Sequence, residues 1–397
     1  MPPLAIYAER ALTPLKEIRD AVIVVDGARI AAVGHRGEIE VPRGAAEYSA
    51  GAGTVVPGFV DVHIHGAGGH DVMEGTEEAF DAVTETVARF GTTSFVATTV
   101  TASPEETCRS VAAIARAATR VASETGSGRA RAEILGAHFE GPFISAARRG
   151  VHPAVWIAAP SIELLDRFVE AAHDTARMLT LAPELPGALK LVSEARRRGL
   201  IVAMGHTDAS YAEAEAAIAA GVRHAAHVFN AMRPFSHRET GVLGAVLTSH
   251  KVTAELIADG VHVDDAAIRV LLAAKGVERT VLVSDGTAAT GMPDGKYRLG
   301  TFEVTVTGGV CRNAEGKLAG STLTLDRAVR HMVSLGVGLS DAVRMATFNP
   351  ARVLGMETRK GILAAGADAD LVLLDEKMQV AGVMARGLGW PVTSSRD

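Results

Sequence analysis

The sequence predicts an α/β fold, a (β/α)8 TIM-like barrel accompanied by a small β-sandwich domain built from both chain ends. Three observations lead there. Between residues 57 and 360, apolar runs of strand length alternate with amphipathic segments of helical length, the linear form of a (β/α)8 barrel. Ligand-type side chains recur where those apolar runs end, which is where barrels carry their active sites. The two chain ends show short β-rich runs with turn signals instead.

Taken in order, residues 20–56 read as hairpin strands with turn signals at Asp26-Gly27 and Gly34. Barrel strands are expected at 58–64, 93–99, 134–139, 178–182, 200–205, 224–228, 253–257 and 280–284. Helical patterns at 76–90, 104–123, 161–173, 187–198, 210–220 and 264–275 separate most of them. Residues 122–130 are small and polar, the composition of a surface loop. A β-like stretch from Tyr297 to Val310, with a Gly308-Gly309 turn, interrupts the helical last part of the barrel. Strand patterns return at 361–364, 369–375, 379–380 and 383. The expected division is therefore 1–56 plus 361–397 for the small β domain and 57–360 for the barrel.

A length of 397 residues accommodates a barrel of roughly 250 residues and a companion domain. Aromatic residues are only 4% of the chain, whereas Ala, Val, Leu and Gly abound, as in parallel strands covered by helices. Net charge is −6 with no dense run of either sign, which disfavours nucleic acid as a partner. Cys108 and Cys311 form no paired-cysteine motif, so a reducing cytoplasm is expected. The N-terminus meets charge too early for a signal peptide, and no apolar run is long enough to suggest a membrane partner.

The ligand-type residues are specific. His63 and His65 close the first strand, Glu140 follows the third, and His206 and His227 end the fifth and sixth. His262 lies just past the seventh, and Asp285 ends the eighth. Alternate strand residues face one side about 6.6–6.8 Å apart, so two imidazoles at i and i+2 can converge on one ion. A lone pair of this kind is weak; its context of further strand-end ligands is what raises it. Glu140 stands between an apolar strand and a Gly-Pro turn, where a carboxylate is costly to bury unless paired or metal-bound. Glu140, His206 and His227 supply three protein ligands and leave a position open, a set suited to Zn2+, or to Fe2+ and Mn2+ less selectively. Asp285 can take a proton from an attacking water and hand it to a leaving amine. His138, two residues before Glu140, is expected to pack beside the site, and His35, His70, His173, His250 and His331 fit no strand end.

With these residues in place, the chain resembles the amidohydrolase superfamily and, within it, the N-acetylglucosamine-6-phosphate deacetylase family. The resemblance spans essentially the whole chain. It rests on residues 57–66 (PGFVDVHIHG), 138–143 (HFEGPF), 205–207 (GHT), 227–232 (HVFNAM), 257–263 (IADGVHV), 283–287 (VSDGT) and 318–321 (LAGS). The first of these is specific only to the superfamily; the HFEGPF, HVFNAM, IADG and LAGS segments together are specific to the deacetylases. The resemblance implies hydrolysis of a phosphorylated amino sugar, with Glu140, His206 and His227 on the principal metal and Asp285 as acid/base. It further implies that Val151 and His152 meet the substrate and that His152 polarises the acetyl carbonyl. Asn230, Ala231 and Arg238 would bind the sugar phosphate, and His262, Leu318, Ala319, Gly320 and Ser321 would line the sugar site. In that family the arginine can come from a neighbouring subunit, which implies a homodimer. Some members lack the first-strand histidine pair and use one metal; this chain keeps it, which implies a second ion on His63, His65 and a bridging Glu140.

Two alternatives stay open at this stage. Another amidohydrolase, an N-acyl-amino-acid hydrolase or a deaminase, would keep the metal residues but not the phosphate group. A non-catalytic barrel scaffold would be expected to have dropped ligands, whereas all of them are present.

Overall fold

The computed structural model describes residues 2–123 and 128–390. The chain opens with β1 (Leu4–Leu12), β2 (Glu17–Asp26), β3 (Arg29–His35), β4 (Ala46–Ser49) and β5 (Thr54–Pro57). It then enters the barrel at β6 (Phe59–Ile64), followed by a short hairpin, β7 (Gly66–Ala67) and β8 (His70–Asp71), and by α1 (Glu77–Arg89). The alternation continues through β9 (Thr92–Thr99), α2 (Pro104–Ser123), β10 (Glu133–Glu140), α3 (Ile162–Ala171), β11 (Ala176–Leu181) and α4 (Ala188–Arg197). Next come β12 (Ile201–Met204), α5 (Tyr211–Ala220), β13 (His224–Ala225), α6 (Gly241–Thr248), β14 (Thr253–Leu256), α7 (Asp265–Lys275) and β15 (Thr280–Leu282).

The eight strands from β6 to β15 pair in parallel in the order β15-β14-β13-β12-β11-β10-β9-β6. A parallel bridge between Ile64 and Gly286 joins the last strand region to the first and closes the barrel. Every residue of β9 and β10 is buried, because a parallel strand packs side chains on both faces. The helices begin where the sequence offers caps. Thr76 accepts from the Ala79 amide, Ser210 and Glu213 form a capping box, and Asp264 accepts from the Ala266 amide.

After β15 the chain forms an antiparallel excursion of β16 (Gly295–Leu299), β17 (Phe302–Thr307) and β18 (Val310–Asn313). Then follow α8 (Leu325–Ser334), α9 (Leu339–Ala346) and α10 (Phe348–Val353), whose apolar faces share a core with Val60, Val62, Leu282 and Val283. The chain ends in β19 (Leu371–Leu374), β20 (Val380–Ala385) and β21 (Leu388–Gly389). These three join the N-terminal strands in one sheet, ordered β21-β20-β19-β5-β1-β2-β3, with β4 also on β1. Ile6, Ile23, Leu371 and Met384, from opposite ends of the chain, share its apolar core.

All eight expected barrel strands and all six expected helices are present within a few residues of their predicted bounds. Three local expectations need correction. Gly34 is not a turn but lies inside β3, where a Cβ would stand 2.9 Å from Ile39. Residues 361–364 form no strand; Leu363 plugs the core of the small sheet from an irregular segment. The central strand β1, starting at Leu4, precedes the first strand expected from the sequence. Of the expected loop at 122–130, residues 124–127 lie outside the described residues. Among the described residues, no helix is long and apolar enough to cross a membrane.

Candidate metal centre and active site

The site is assembled by strand ends that turn sharply. His206, His227 and Asp285 each occupy left-handed backbone, with φ of 48°, 26° and 49°. Such conformations cost a non-glycine residue of order 1–3 kcal/mol and persist only where surrounding structure enforces them. Here the enforcing contacts are backbone hydrogen bonds. The Asp285 amide donates to His63 O at 2.9 Å, and Asp285 O accepts from the Ser321 amide at 2.7 Å. Gly320, beside that bond, has φ of 57°, and a Cβ there would lie 2.6 Å from Thr287 Cγ2 and 2.9 Å from Asp285 O. A glycine is required at that approach.

Glu140 sits at the centre, 2% exposed. Its Oε1 lies 2.9 Å from His227 Nε2, 3.1 Å from His206 Nε2 and 3.3 Å from His63 Nε2, and its Oε2 lies 3.3 Å from His65 Nε2 and 3.4 Å from His152 Nε2. Asp285 Oδ1 stands 3.1 Å from His65 Nε2 and 3.8 Å from His63 Nε2.

The outer ring nitrogens indicate which imidazoles suit a cation. His65 Nδ1 faces Thr98 O at 3.0 Å, His206 Nδ1 faces Arg148 O at 3.0 Å, and His63 Nδ1 faces Glu255 Oε2 at 2.9 Å. Each of these partners is an acceptor, so Nδ1 carries the proton and Nε2 can present a lone pair inward. His152 is arranged the other way. Its Nδ1 accepts from the Thr101 amide at 3.2 Å, so the neutral ring points an Nε2–H donor into the site. His206 and His227 bring their Nε2 atoms within 3.2 Å of each other, and His63 Nε2 is buried without a hydrogen-bond partner. Two facing ring nitrogens and an orphaned third, gathered on one carboxylate, fit a divalent cation. Three ligand groups meet the spacing for one: His63-Glu140-His227, His63-His65-Asp285 and Glu140-His152-His206. The donor geometry of His152 removes it from the ligands.

Electrostatics tell the same story. Burial pushes the Glu140 carboxyl up, but the neighbouring imidazoles, His63 first, outweigh it and hold the group well below its usual range. Asp285 is likewise held down against burial by its bond from His65 and the charges around it. Burial opposes charge on His65, yet its bonds to Asp285 and Glu140 raise it to about 10. His63 is raised against burial by Glu140 and Glu255. Burial and the charge of His152 bring His206 down to about 4. Without metal, protons on some imidazoles balance ionised carboxylates; a dication would replace those protons.

A cavity of about 190 Å3 opens onto this cluster. Of the expected substrate residues, Val151, His152, Asn230, Ala231, His262, Leu318 and Gly320 line it. Ala319 and Ser321 stand behind the lining: Ala319 packs in the core under β16–β18, and Ser321 Oγ donates to Ser284 O at 2.6 Å. Arg238 lies on the exposed loop before α6, outside the cavity wall. His138 packs edge-on to His63 with ring centroids 4.9 Å apart and contacts Thr180 Oγ1 at 2.7 Å, as expected of a supporting residue. Sequence reasoning missed Val100, Gly150 and Leu299 in the wall, and Glu255 behind it. Only Glu255 carried a signal, a carboxylate inside the apolar run of β14.

The amidohydrolase family profile matches residues 54–388. The chain is 37% identical over 386 residues, 96% of its length and 93% of the relative's, to an N-acetylglucosamine-6-phosphate deacetylase of Vibrio furnissii. It is 39% identical to an N-acetylgalactosamine-6-phosphate deacetylase of Escherichia coli O157:H7, over 83% of this chain and 86% of that one. An N-acetyl-D-glucosamine-6-phosphate deacetylase from Mycobacterium smegmatis, solved as a variant in complex with N-acetyl-D-glucosamine-6-phosphate, superposes with a TM-score of 0.90 at 39% identity. That match covers 98% of this chain and 99% of the other. Fold and site thus define a hydrolase of the amidohydrolase family, to which this chain belongs. Within it, the chain belongs to the N-acetylglucosamine-6-phosphate deacetylase family.

Proposed function

We propose that the protein hydrolyses the acetamide of N-acetylglucosamine 6-phosphate, yielding glucosamine 6-phosphate and acetate. The observation carrying this reading is the convergence, in one cavity, of Glu140, His206 and His227 with the carboxylate of Asp285 and the inward donor of His152. Glu140, His206 and His227 would hold the principal cation, zinc by its donor set, and His63 and His65 with Glu140 a second. Such a cation, when bound, supplies a Lewis acid that polarises the acetyl carbonyl and acidifies water.

The chain's own residues do the rest. His152 Nε2–H donates to the carbonyl oxygen as negative charge develops there. Asp285 Oδ1 takes a proton from the attacking water and returns it to the amine nitrogen as the C–N bond breaks. That carboxylate stands 3.1 Å from His65 Nε2, beside the second cation position. Val100, Val151, Leu299 and Leu318 provide apolar wall, while Asn230 and His262 offer hydrogen bonds to the sugar and its phosphate. Among the described residues, the cavity wall contains no lysine or arginine, although a phosphate dianion favours one. This supports a homodimer in which Arg238 reaches the neighbouring subunit's site. Two free cysteines, Cys108 and Cys311, are in keeping with the cytoplasm.

The decisive experiment is an acetate-release assay on phosphorylated and unphosphorylated N-acetylglucosamine and N-acetylgalactosamine, alongside metal analysis. Turnover confined to the phosphorylated sugars is expected, with Arg238→Ala raising KM for them steeply. Equal turnover of the unphosphorylated sugars, or none of any, would refute the proposal.

A further inference from the structure

Behind the metal centre, Glu255 makes a set of contacts that the reaction itself does not use. It arises from β14, the seventh barrel strand, and is fully buried. Its Oε2 accepts from His63 Nδ1 at 2.9 Å, on the first strand, and from the His227 amide at 2.9 Å, past the sixth. Its Oε1 meets His224 Nε2 at 2.8 Å, and His224 Nδ1 rests against Thr253 Oγ1 at 2.6 Å. The backbone of the same residue accepts from the Val228 amide at 3.0 Å. One carboxylate therefore reaches across the barrel interior and touches groups from both expected ligand sets.

We infer that Glu255 is a positioning residue for the metal centre, coupling the two ion positions through His63 and His227. This rests on the metal-binding reading above. The bond to His63 Nδ1 selects the tautomer whose Nε2 lone pair faces Glu140 Oε1, 3.3 Å away. A carboxylate behind an imidazole also raises its basicity as a ligand. The bond to the His227 amide fixes the backbone at a residue with φ of 26°, and so fixes where its ring points. Neither contact reaches the cavity, so Glu255 touches no substrate.

The test is competitive Zn2+ titration against a chromophoric chelator, on the full chain, with Glu255→Gln. Glutamine keeps the length and, with its NH2 turned toward His224, an acceptor oxygen for His63 and the His227 amide, so the interior remains filled and what is removed is the negative charge behind His63. Zinc affinity is expected to fall by roughly 10- to 100-fold. In a His63→Ala background the same substitution should cost less, because one of the two groups it holds is gone. Glu255→Asp, which keeps the charge but shortens the reach, should give an intermediate loss and serves if the glutamine variant does not fold. Zinc affinity within twofold of the parent, even with a lowered melting temperature, would overturn the inference, as would an equal loss in both backgrounds. Failure of the parent to release acetate would refute the proposed reaction and leave this zinc comparison standing.

Discussion

Glu140 and Asp285 are both buried carboxylates, yet their surroundings assign them different work. Glu140 also meets the cavity, but both of its oxygens are taken up by imidazoles, Oε1 by His227, His206 and His63 and Oε2 by His65 and His152. Asp285 is pinned by one short contact to His65 and lines the cavity. Asp285→Asn should therefore lower kcat by about 10²–10⁴-fold, while metal content measured by elemental analysis stays that of the parent. His152→Asn should lower kcat by about 10²–10³-fold and again leave the metal in place, since the Thr101 amide dictates a donor ring; loss of metal in that variant would make His152 a ligand instead. Both residues were legible in the sequence, Asp285 because a carboxylate closes an apolar strand and His152 through family resemblance. Glu255 was not legible in that way. Its partners His63, His224 and His227 are brought to it by barrel closure, and nothing in a linear run tells which inward position faces which strand.

At the scale of elements, the junction between barrel and small sheet is an ion cluster around a fully buried lysine. Lys360 Nζ lies 2.6 Å from Glu133 Oε2, 2.8 Å from Asp368 Oδ2 and 2.7 Å from Asp370 Oδ2. Glu133 begins barrel strand β10, whereas Asp368 and Asp370 lead into β19 of the small sheet. Lys360→Met would leave those carboxylates short of a buried cation and should cost about 3–5 kcal/mol, read from urea denaturation. Glu133 adds a pH signature. Burial pushes its carboxyl up, but Lys360 and Arg359 outweigh burial and hold it at about 2 rather than 4.5. Its contribution is fully present above pH 4.5 and is lost as pH falls toward 2. Asp370, raised by burial despite Lys360, acts with the opposite sign. The parent should lose stability across that acid window more steeply than Lys360→Met. The barrel strands were legible because both-face burial writes them as continuous apolar runs. Residues 361–364 share that composition, but their backbone finds no neighbouring strand, and periodicity cannot distinguish the two cases.

For the whole molecule, closing the barrel gathers more ionisable groups than a dry interior tolerates, and the balance shifts with pH and metal. Against burial, His65 is raised to about 10 by Asp285 and Glu140, and His63 is raised by Glu140 and Glu255, so the surrounding carboxylates favour protons on these rings in the metal-free chain. Zinc must displace protons, so its apparent affinity should climb from pH 6 to pH 8. Calorimetric heats should vary with the ionisation enthalpy of the buffer; buffer-independent heats would contradict the charge balance described here. At zinc concentrations about 1,000-fold above Kd, binding should stabilise the fold by about 4 kcal/mol, visible as a melting-temperature drop with chelator. The global architecture was legible because the β/α alternation repeats over most of the chain. The position of Arg238 outside the cavity wall was not, since a linear run does not place an exposed loop relative to a pocket.

The small sheet has a mechanical consequence. β1 and β21 belong to the same sheet, separated there only by β5, β19 and β20, although nearly the whole sequence lies between them. A pulling force applied at residues 4 and 389 would be borne by that sheet's inter-strand hydrogen bonds. The barrel would carry no tension until those strands parted. Stretching the chain by its ends should therefore rupture the sheet in a first event, with the catalytic body lengthening only afterward.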